Sequence, residues 1–327
     1  MKNKKILVTG ACGFIGSHLT EYLVSKGHKV IAFDKYNRDN HHGWLENSKF
    51  KKNIEIILGD IRDYDSVEKS IKGCETVFHL AALCGIPYSY ISPLAYIKTN
   101  LEGTYNILEN SKKKNIENII ITSTSEVYGS ANYVPIDEKH PIIGQSPYSA
   151  SKIAADNLAE SYYRSFNLPI KILRPFNTYG PRQSLRAIIP TIINQMIASN
   201  KKLTLGNVHP TRDFTYVSDT VDAFYTIFKS KKNIGQTFNF GTNSEISIFN
   251  LSKLIGKILK KNFEIASDSK RKRPSKSEVD RLKCNNKKFL KLKNKKFVKL
   301  EEGLKKTINF YKLNQKYFIN KRKNYHI

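Results

Sequence analysis

Short apolar runs of strand length alternate with longer stretches of helical periodicity over the first half of the chain. Lys5–Thr9 (KILVT), 29–34 (KVIAFD), 54–58 (IEIIL), 76–80 (TVFHL), Asn118–Thr122 (NIIIT) and 170–174 (IKILR) read as strands. Residues 14–26, 93–113 and Pro147–Phe166 carry the helical spacing. Strands that alternate with helices predict an α/β fold: a doubly wound parallel sheet with right-handed crossovers. After Arg174 the pattern becomes irregular. Helices are expected at 188–199, 219–228 and Ile248–Leu259, and Thr237–Phe240 (TFNF) is expected to rejoin the sheet. This divides the chain into 1–177 and a smaller α/β part, 178–327, with segments around 205–250 returning to the first. No internal repeat is present.

Composition narrows the class. At 327 residues with 40% hydrophobic content the chain is globular, and it needs no staple to hold its core. Cys12, Cys74, Cys84 and Cys284 form no CxxC pair and have no histidine at zinc spacing. A reduced, cytoplasmic protein without a metal is expected. The basic start followed by an apolar run is broken by glycines and reads as a first strand, not a signal peptide. No apolar run is long enough to span a membrane. The net charge of +27 raises nucleic-acid binding, but the lysines are scattered and no nucleic-acid module appears. A lysine-rich composition explains the charge, and its field still favours an anionic substrate. The stretch 283–296 and the basic end Lys321–Lys323 read as solvated surface.

Gly10, Gly13 and Gly16 fall between the first strand and the first helix, with Phe14 and Ile15 opening that helix. Such a loop lets the backbone approach a pyrophosphate at a helix N-terminus. The spacing is GxxGxxG rather than GxGxxG, but the strand-loop-helix context assigns a Rossmann dinucleotide site to the first part of the chain. Asp34 ends the second strand, where a carboxylate accepts ribose hydroxyls and repels a 2′-phosphate, so NAD is favoured over NADP. Asp60 ends the third strand and is placed towards the adenine. His41 and His42 are read as loop residues.

Tyr148 and Lys152 stand at i and i+4 and share one helix face. A phenol with a pKa of about 10 is a weak base at neutral pH, and a neighbouring ammonium favours the phenolate. The pair follows Ser123-Thr124-Ser125-Glu126 by one helix. Here the chain resembles the extended short-chain dehydrogenase/reductases that act on nucleotide sugars, the NAD-dependent epimerase/dehydratase family. The resemblance spans nearly the whole chain. It rests on the glycine loop, Leu80-Ala81-Ala82, Asn100, the Thr124/Tyr148/Lys152 set, and the run from Arg174 through Asn177 to Arg182. It implies that Tyr148 takes the proton as hydride leaves the sugar C4, that Lys152 holds the nicotinamide ribose, and that Thr124 bonds the C4 oxygen. It also implies cofactor contacts from Ile61, Leu80, Ala81, Ala82 and Asn100, and often a homodimer built from the two long helices.

Within the family Glu126 is the informative residue. Simple 4-epimerases need no carboxylate there; 4,6-dehydratases use one to remove the acidified C5 hydrogen and to help the C6 hydroxyl leave. Many dTDP-glucose dehydratases have Asp before this Glu, where this chain has Ser125. The Thr-Ser-Glu form resembles GDP-mannose 4,6-dehydratases and also UDP-glucuronate decarboxylases, so both remain open beside a 4-epimerase. A non-catalytic NAD-sensing or nucleic-acid-binding Rossmann protein is the alternative outside enzymes; it needs no such set. On the substrate side, arginine forks suit diphosphate oxygens, and the resemblance assigns Arg212, Arg273 and Asn177 to that group. Arg182 joins them as a candidate. The segments 36–38, 43–46, 181–183, 210–214 and 273–279 are similar to nucleotide-GlcNAc 4,6-dehydratases of legionaminic-acid and bacillosamine-type pathways. The implied substrate is UDP- or GDP-N-acetylglucosamine.

Overall fold

In a computed structural model, which describes residues 3–198 and 201–319, the chain forms a three-layer α/β/α unit with an irregular C-terminal part packed against it. In chain order the first elements are β1 (Lys5–Thr9), α1 (Phe14–Ser25), β2 (Lys29–Lys35), β3 (Ile54–Gly59), α2 (Tyr64–Ile71) and β4 (Thr76–His79). Next come α3 (Ile86–Ile91), α4 (Pro93–Tyr96), α5 (Gly103–Lys113), β5 (Asn118–Thr122), α6 (Pro147–Phe166), β6 (Ile170–Pro175) and β7 (Asn177–Tyr179). The rest comprises α7 (Ile188–Ile197), β8 (Lys202–Leu205), β9 (Thr211–Arg212), β10 (Phe214–Tyr216), α8 (Val217–Lys229), β11 (Thr237–Phe240), β12 (Ile246–Ser247) and α9 (Ile248–Leu259). The chain then runs through β13 (Glu264–Ser267), β14 (Arg281–Leu282), α10 (Lys287–Leu290), α11 (Leu300–Leu313) and α12 (Gln315–Ile319).

Seven parallel strands lie in the order β3-β2-β1-β4-β5-β6-β11. The alternation of side chains along each strand explains why both faces need helices. Ile6, Val8, Val30, Ala32 and Ile120 point into one core with Leu19 and Leu23 of α1 and Phe224 and Ile227 of α8. Leu7, Ile31, Phe33, Ile119 and Ile121 point into the other, with Val67, Ile107, Leu108 and Ala159 of α2, α5 and α6. The strand order reverses between β1 and β4, and the crevice beyond their C-terminal ends is where such sheets bind ligands. β11 closes the sheet beside β6, in register from Thr237↔Ile172 to Phe240↔Pro175.

Two expectations need amendment. The helix anticipated over 93–113 is α4, a π-helical stretch Ile97–Glu102, and α5. The wide turns of that stretch carry Asn100, whose amide is bonded to two other segments, and hydrophobic spacing does not register such a constraint. The helices α2, α3, α10, α11 and α12 were not read from the pattern, and α10 falls in the stretch 283–296 expected as solvated surface, where Cys284, Asn286 and Phe289 are buried. The basic end Lys321–Lys323 and Ser199, the last residue of the expected 188–199 helix, lie outside the described residues.

Candidate active site

The loop after β1 shows why glycine is required there. Gly10 has φ +67°, and a Cβ on it would stand 2.9 Å from the Ala81 backbone. A Cβ on Gly16 would lie 2.0 Å from the Gly10 carbonyl oxygen, so α1 packs directly on the loop. α1 begins at Phe14 with Gly13 as its N-cap and no acidic residue in its first turn, which leaves its N-terminal amides and dipole for an anion. At the end of β2, Asp34 accepts N–H bonds from Cys12 (2.6 Å) and Lys35 (2.8 Å). Burial pushes the Asp34 carboxyl up, and those bonds oppose the shift. These features fit a dinucleotide cradle with a carboxylate at the ribose position.

The other expected cofactor residues are distributed around this cradle. The Leu80 and Ala81 amides both donate to Thr9 Oγ1 (3.2 and 3.1 Å), and Ala82 follows them, half-buried. Phe14 and Ile15 pack on the core, and Ile61 is buried at the foot of α5. Asp60 is held by Arg62 of its own turn. Asn100 accepts from the Leu83 amide (2.8 Å) and donates to the Leu83 carbonyl (3.0 Å) and Ser151 Oγ (2.9 Å). Both its N–H groups are used, so it fixes the 80–85 loop to α6, and only an oxygen lone pair is left for a cofactor. Beneath the loop, His79 bridges Thr9 and Thr104 (2.8 and 3.1 Å). Burial, with help from the Lys152 charge, lowers its pKa to about 3.

α6 starts sharply because Ser146 caps it through a reciprocal bond with Ser149 and Pro147 sits in its first turn. That puts Tyr148 and Lys152 on one buried face. Thr124 hydrogen-bonds Tyr148, and its Oγ1 also accepts the Glu126 amide (3.2 Å). Ser125 and Glu126 are buried in the same 3-10 turn, Ser125–Tyr128. Lys152 Nζ donates to the Thr122 carbonyl (2.7 Å). Its pKa is lowered by burial, an effect opposed by Asp156. Burial raises the Tyr148 pKa, with Cys84 adding to the shift and the Thr124 bond opposing it. Both groups are desolvated, and the ammonium is tied to a backbone carbonyl.

One buried node fixes this turn from both sides. Asp156 Oδ2 accepts from Ser123 Oγ (2.5 Å) and from Arg174 Nε and Nη2 (3.1 and 3.0 Å). Arg174 Nη1 then donates to Tyr128 OH (3.0 Å), which donates to Asn239 on β11 (2.7 Å). Ser123 precedes Thr124 and Tyr128 follows Glu126, so the node brackets both candidates.

The substrate-side residues divide. Arg273 Nη1 bonds Glu126 Oε2 at 3.2 Å. Arg212, on β9, is buried, donates to the Thr211 carbonyl and stands 3.7 Å from Glu278. Asn177 lies on β7 with a buried Oδ1 that has no hydrogen-bond partner among the described residues. Arg182 departs from its expected role. Its positive φ of +71° turns it to Glu21 of α1 at 3.0 Å, where it ties the two parts of the chain together instead of joining Arg212 and Arg273. Residues 272–278 are pinned across the opening: Tyr90 OH bonds Ser277 Oγ (2.6 Å), and Gln145 donates to the Lys276 carbonyl (3.2 Å). Sequence reasoning missed Cys84 and Tyr96 as neighbours of Tyr148, and Arg186 beside Gly85 and Tyr96. Among the described residues no cluster of His, Cys, Asp and Glu could hold a metal ion.

Comparison with known proteins agrees with this geometry. The family model of GDP-mannose 4,6 dehydratase matches residues 7–307. A dTDP-D-glucose 4,6-dehydratase of Dictyostelium discoideum is 37% identical over 77% of this chain, which spans 61% of that protein. A putative UDP-glucose 4-epimerase of Methanocaldococcus jannaschii is 34% identical over 95% of this chain and 99% of its own length. Among solved structures, the dTDP-glucose 4,6-dehydratase DesIV of Streptomyces venezuelae, crystallised with NAD, superposes with a TM-score of 0.87 at 25% identity, covering 96% of this chain and 98% of its own. The glycine cradle, the Tyr148–Lys152 face and the Thr124–Glu126 turn thus belong to a member of the extended short-chain dehydrogenase/reductases, the NAD-dependent epimerase/dehydratase family of nucleotide-sugar enzymes.

Proposed function

We propose that the chain is an NAD-dependent nucleotide-sugar 4,6-dehydratase that converts UDP- or GDP-N-acetylglucosamine to its 4-keto-6-deoxy product. The observation that carries this reading is Glu126, buried in the same turn as Thr124 and next to the Tyr148 phenol. Thr124 orients the C4 hydroxyl and Tyr148 takes its proton. When bound, NAD supplies the hydride acceptor at C4, the hydride returned at C6, and a positive ring beside the phenol. The C4 ketone acidifies the C5 hydrogen, which leaves as a proton to Glu126. Glu126 returns a proton to the departing C6 hydroxyl, which leaves as water. C5 then regains a proton from solvent and the Tyr148 phenol returns its own to solvent, so that the net loss is one water. Arg212, Arg273 and Asn177 hold the diphosphate side, and Asp34 selects NAD over NADP. Residues 1–177 serve mainly the cofactor and 178–327 mainly the substrate.

A second reading, UDP-glucuronate decarboxylation, is favoured by the same turn and by a 30% identical relative named UDP-glucuronic acid decarboxylase 1. Incubation with UDP-, GDP- and dTDP-sugars, read by mass, separates the two. Loss of water from a hexose supports the dehydratase, and loss of carbon dioxide from UDP-glucuronate replaces it. A homodimer belongs to the reading: Ile91, Leu94, Ile97 and Tyr105 are exposed along α3 to α5, and Phe166 is exposed on α6. So does a cytoplasmic setting without nucleic acid as partner, which four unpaired cysteines support. Among the described residues no helix is long and apolar enough to cross a membrane.

A further inference from the structure

Tyr148 stands between two polar groups. On one flank are Thr124, Glu126 and Arg273. On the other is a group the reaction above does not use. The Tyr96 ring meets the Tyr148 ring edge-on at 6.2 Å, and its hydroxyl donates to the Gly85 carbonyl. A Cβ placed on Gly85 would stand 3.6 Å from the Tyr96 oxygen and 3.9 Å from Arg186 Nη1. Arg186 therefore reaches from the turn before α7 across to the 83–86 segment. It is exposed, and no carboxylate pairs with it among the described residues. Leu83, Ile86 and Tyr88 line the adjoining wall with apolar surface.

We propose that Arg186 is a specificity-determining residue that binds the carbonyl oxygen of an acylamino group on C2 of the sugar. The inference rests on the dehydratase reading. In a pyranose ring C4 has two neighbours, C3 and C5. With the C4 oxygen at Tyr148 and the C5 hydrogen at Glu126, the C3–C2 edge faces the Gly85–Arg186 flank. A guanidinium only donates hydrogen bonds, so it selects an acceptor. An acyl carbonyl projects two bonds beyond C2, far enough to meet an arginine at the pocket mouth, and its methyl falls against the apolar wall. The absent side chain at Gly85 leaves the space through which the group passes. Its backbone, at φ −77° and ψ 98°, is open to any residue, so that space can be filled without strain.

The test uses Arg186→Met and Gly85→Ala in the full chain, with UDP- or GDP-N-acetylglucosamine and the matching glucose nucleotide as paired substrates. Loss of one charge-assisted hydrogen bond corresponds to a factor of about 10 to 100. The expected result is a rise in KM of that order for the acylamino sugar in Arg186→Met, with kcat nearly kept and the glucose nucleotide little affected. Gly85→Ala should shift preference in the same direction. Affinity for the free nucleoside diphosphate, measured by calorimetry, should be unchanged in both. Equal losses on both sugars, no loss on either, or weakened nucleoside diphosphate binding would overturn the assignment. Unmutated enzyme that dehydrates the glucose nucleotide but not the acylamino sugar would overturn it while leaving the dehydratase reading in place. Turnover of neither would overturn both.

Discussion

In the proposed dehydration Glu126 and Tyr148 act at different moments, and that order can be measured. C4 oxidation depends on Tyr148 and Thr124; removal of the C5 hydrogen depends on a carboxylate. Glu126→Gln keeps the shape and removes the base, so the variant should oxidise C4 and then stall. Stopped-flow absorbance should show NADH rising towards one equivalent per site, while product release falls by about 10²–10⁴-fold. In heavy water the unmutated enzyme should leave one deuterium at C5. A variant that releases product at the original rate would remove Glu126 from the reaction. Behind these groups, Asp156 is 1% and Arg174 3% exposed. Asp156→Asn strands the Arg174 charge in the interior, and loss of one partner from such a pair costs about 3–5 kcal/mol. Urea denaturation should show that loss. Asp156→Leu combined with Arg174→Met should recover much of the stability but not the activity, because Ser123 and Tyr128 lose their common anchor around Thr124 and Glu126.

At the scale of elements, the strands were legible because β-branched runs such as NIIIT and IEIIL tell both faces of a sheet apart from a helix. The glycine loop was legible because its chemistry is local in sequence. The π-helical stretch was not, since it depends on Asn100 bonding Leu83 and Ser151, 17 and 51 residues away. Arg182 was misjudged for a related reason: its neighbours in sequence were right, but its positive φ sends the side chain to α1. Arg273 and Glu126 meet across 147 residues, a pairing that neither the local pattern nor the resemblance, which assigned Arg273 to the diphosphate, contained; Arg186 had no local signal at all. The helices α3 to α5 and α6 carry a prediction of their own. A charge placed in their exposed apolar face, as in Leu94→Arg, should convert the proposed dimer to monomer in light scattering at micromolar concentration, with secondary structure unchanged by circular dichroism. A monomeric unmutated protein would refute the dimer.

For the whole molecule, the response to acid follows from histidines held neutral. His79 and His18 are lowered from 6.5 to about 3 and about 4, in each case mainly by burial. The unfolded chain binds those protons first, so stability is greatest above about pH 6.5 and falls as pH drops towards 3. His79→Gln should flatten part of that slope in melting experiments across pH 7 to 4; an unchanged slope would show that His79 does not contribute. One further consequence lies in the insertion between β2 and β3. The Trp44 amide donates to the Cys12 carbonyl of the glycine loop (3.0 Å), and its indole packs on Phe310, Tyr317 and Phe318 of the C-terminal helices. The chain has no other tryptophan. Its emission is therefore a single-source optical signal rooted at the dinucleotide cradle. Indole emission overlaps the absorption of reduced nicotinamide but not of the oxidised ring. Emission from Trp44 should then dim by energy transfer while reduced nicotinamide is present and brighten when hydride reaches C6, so that one native fluorophore times the two halves of the proposed reaction without a label.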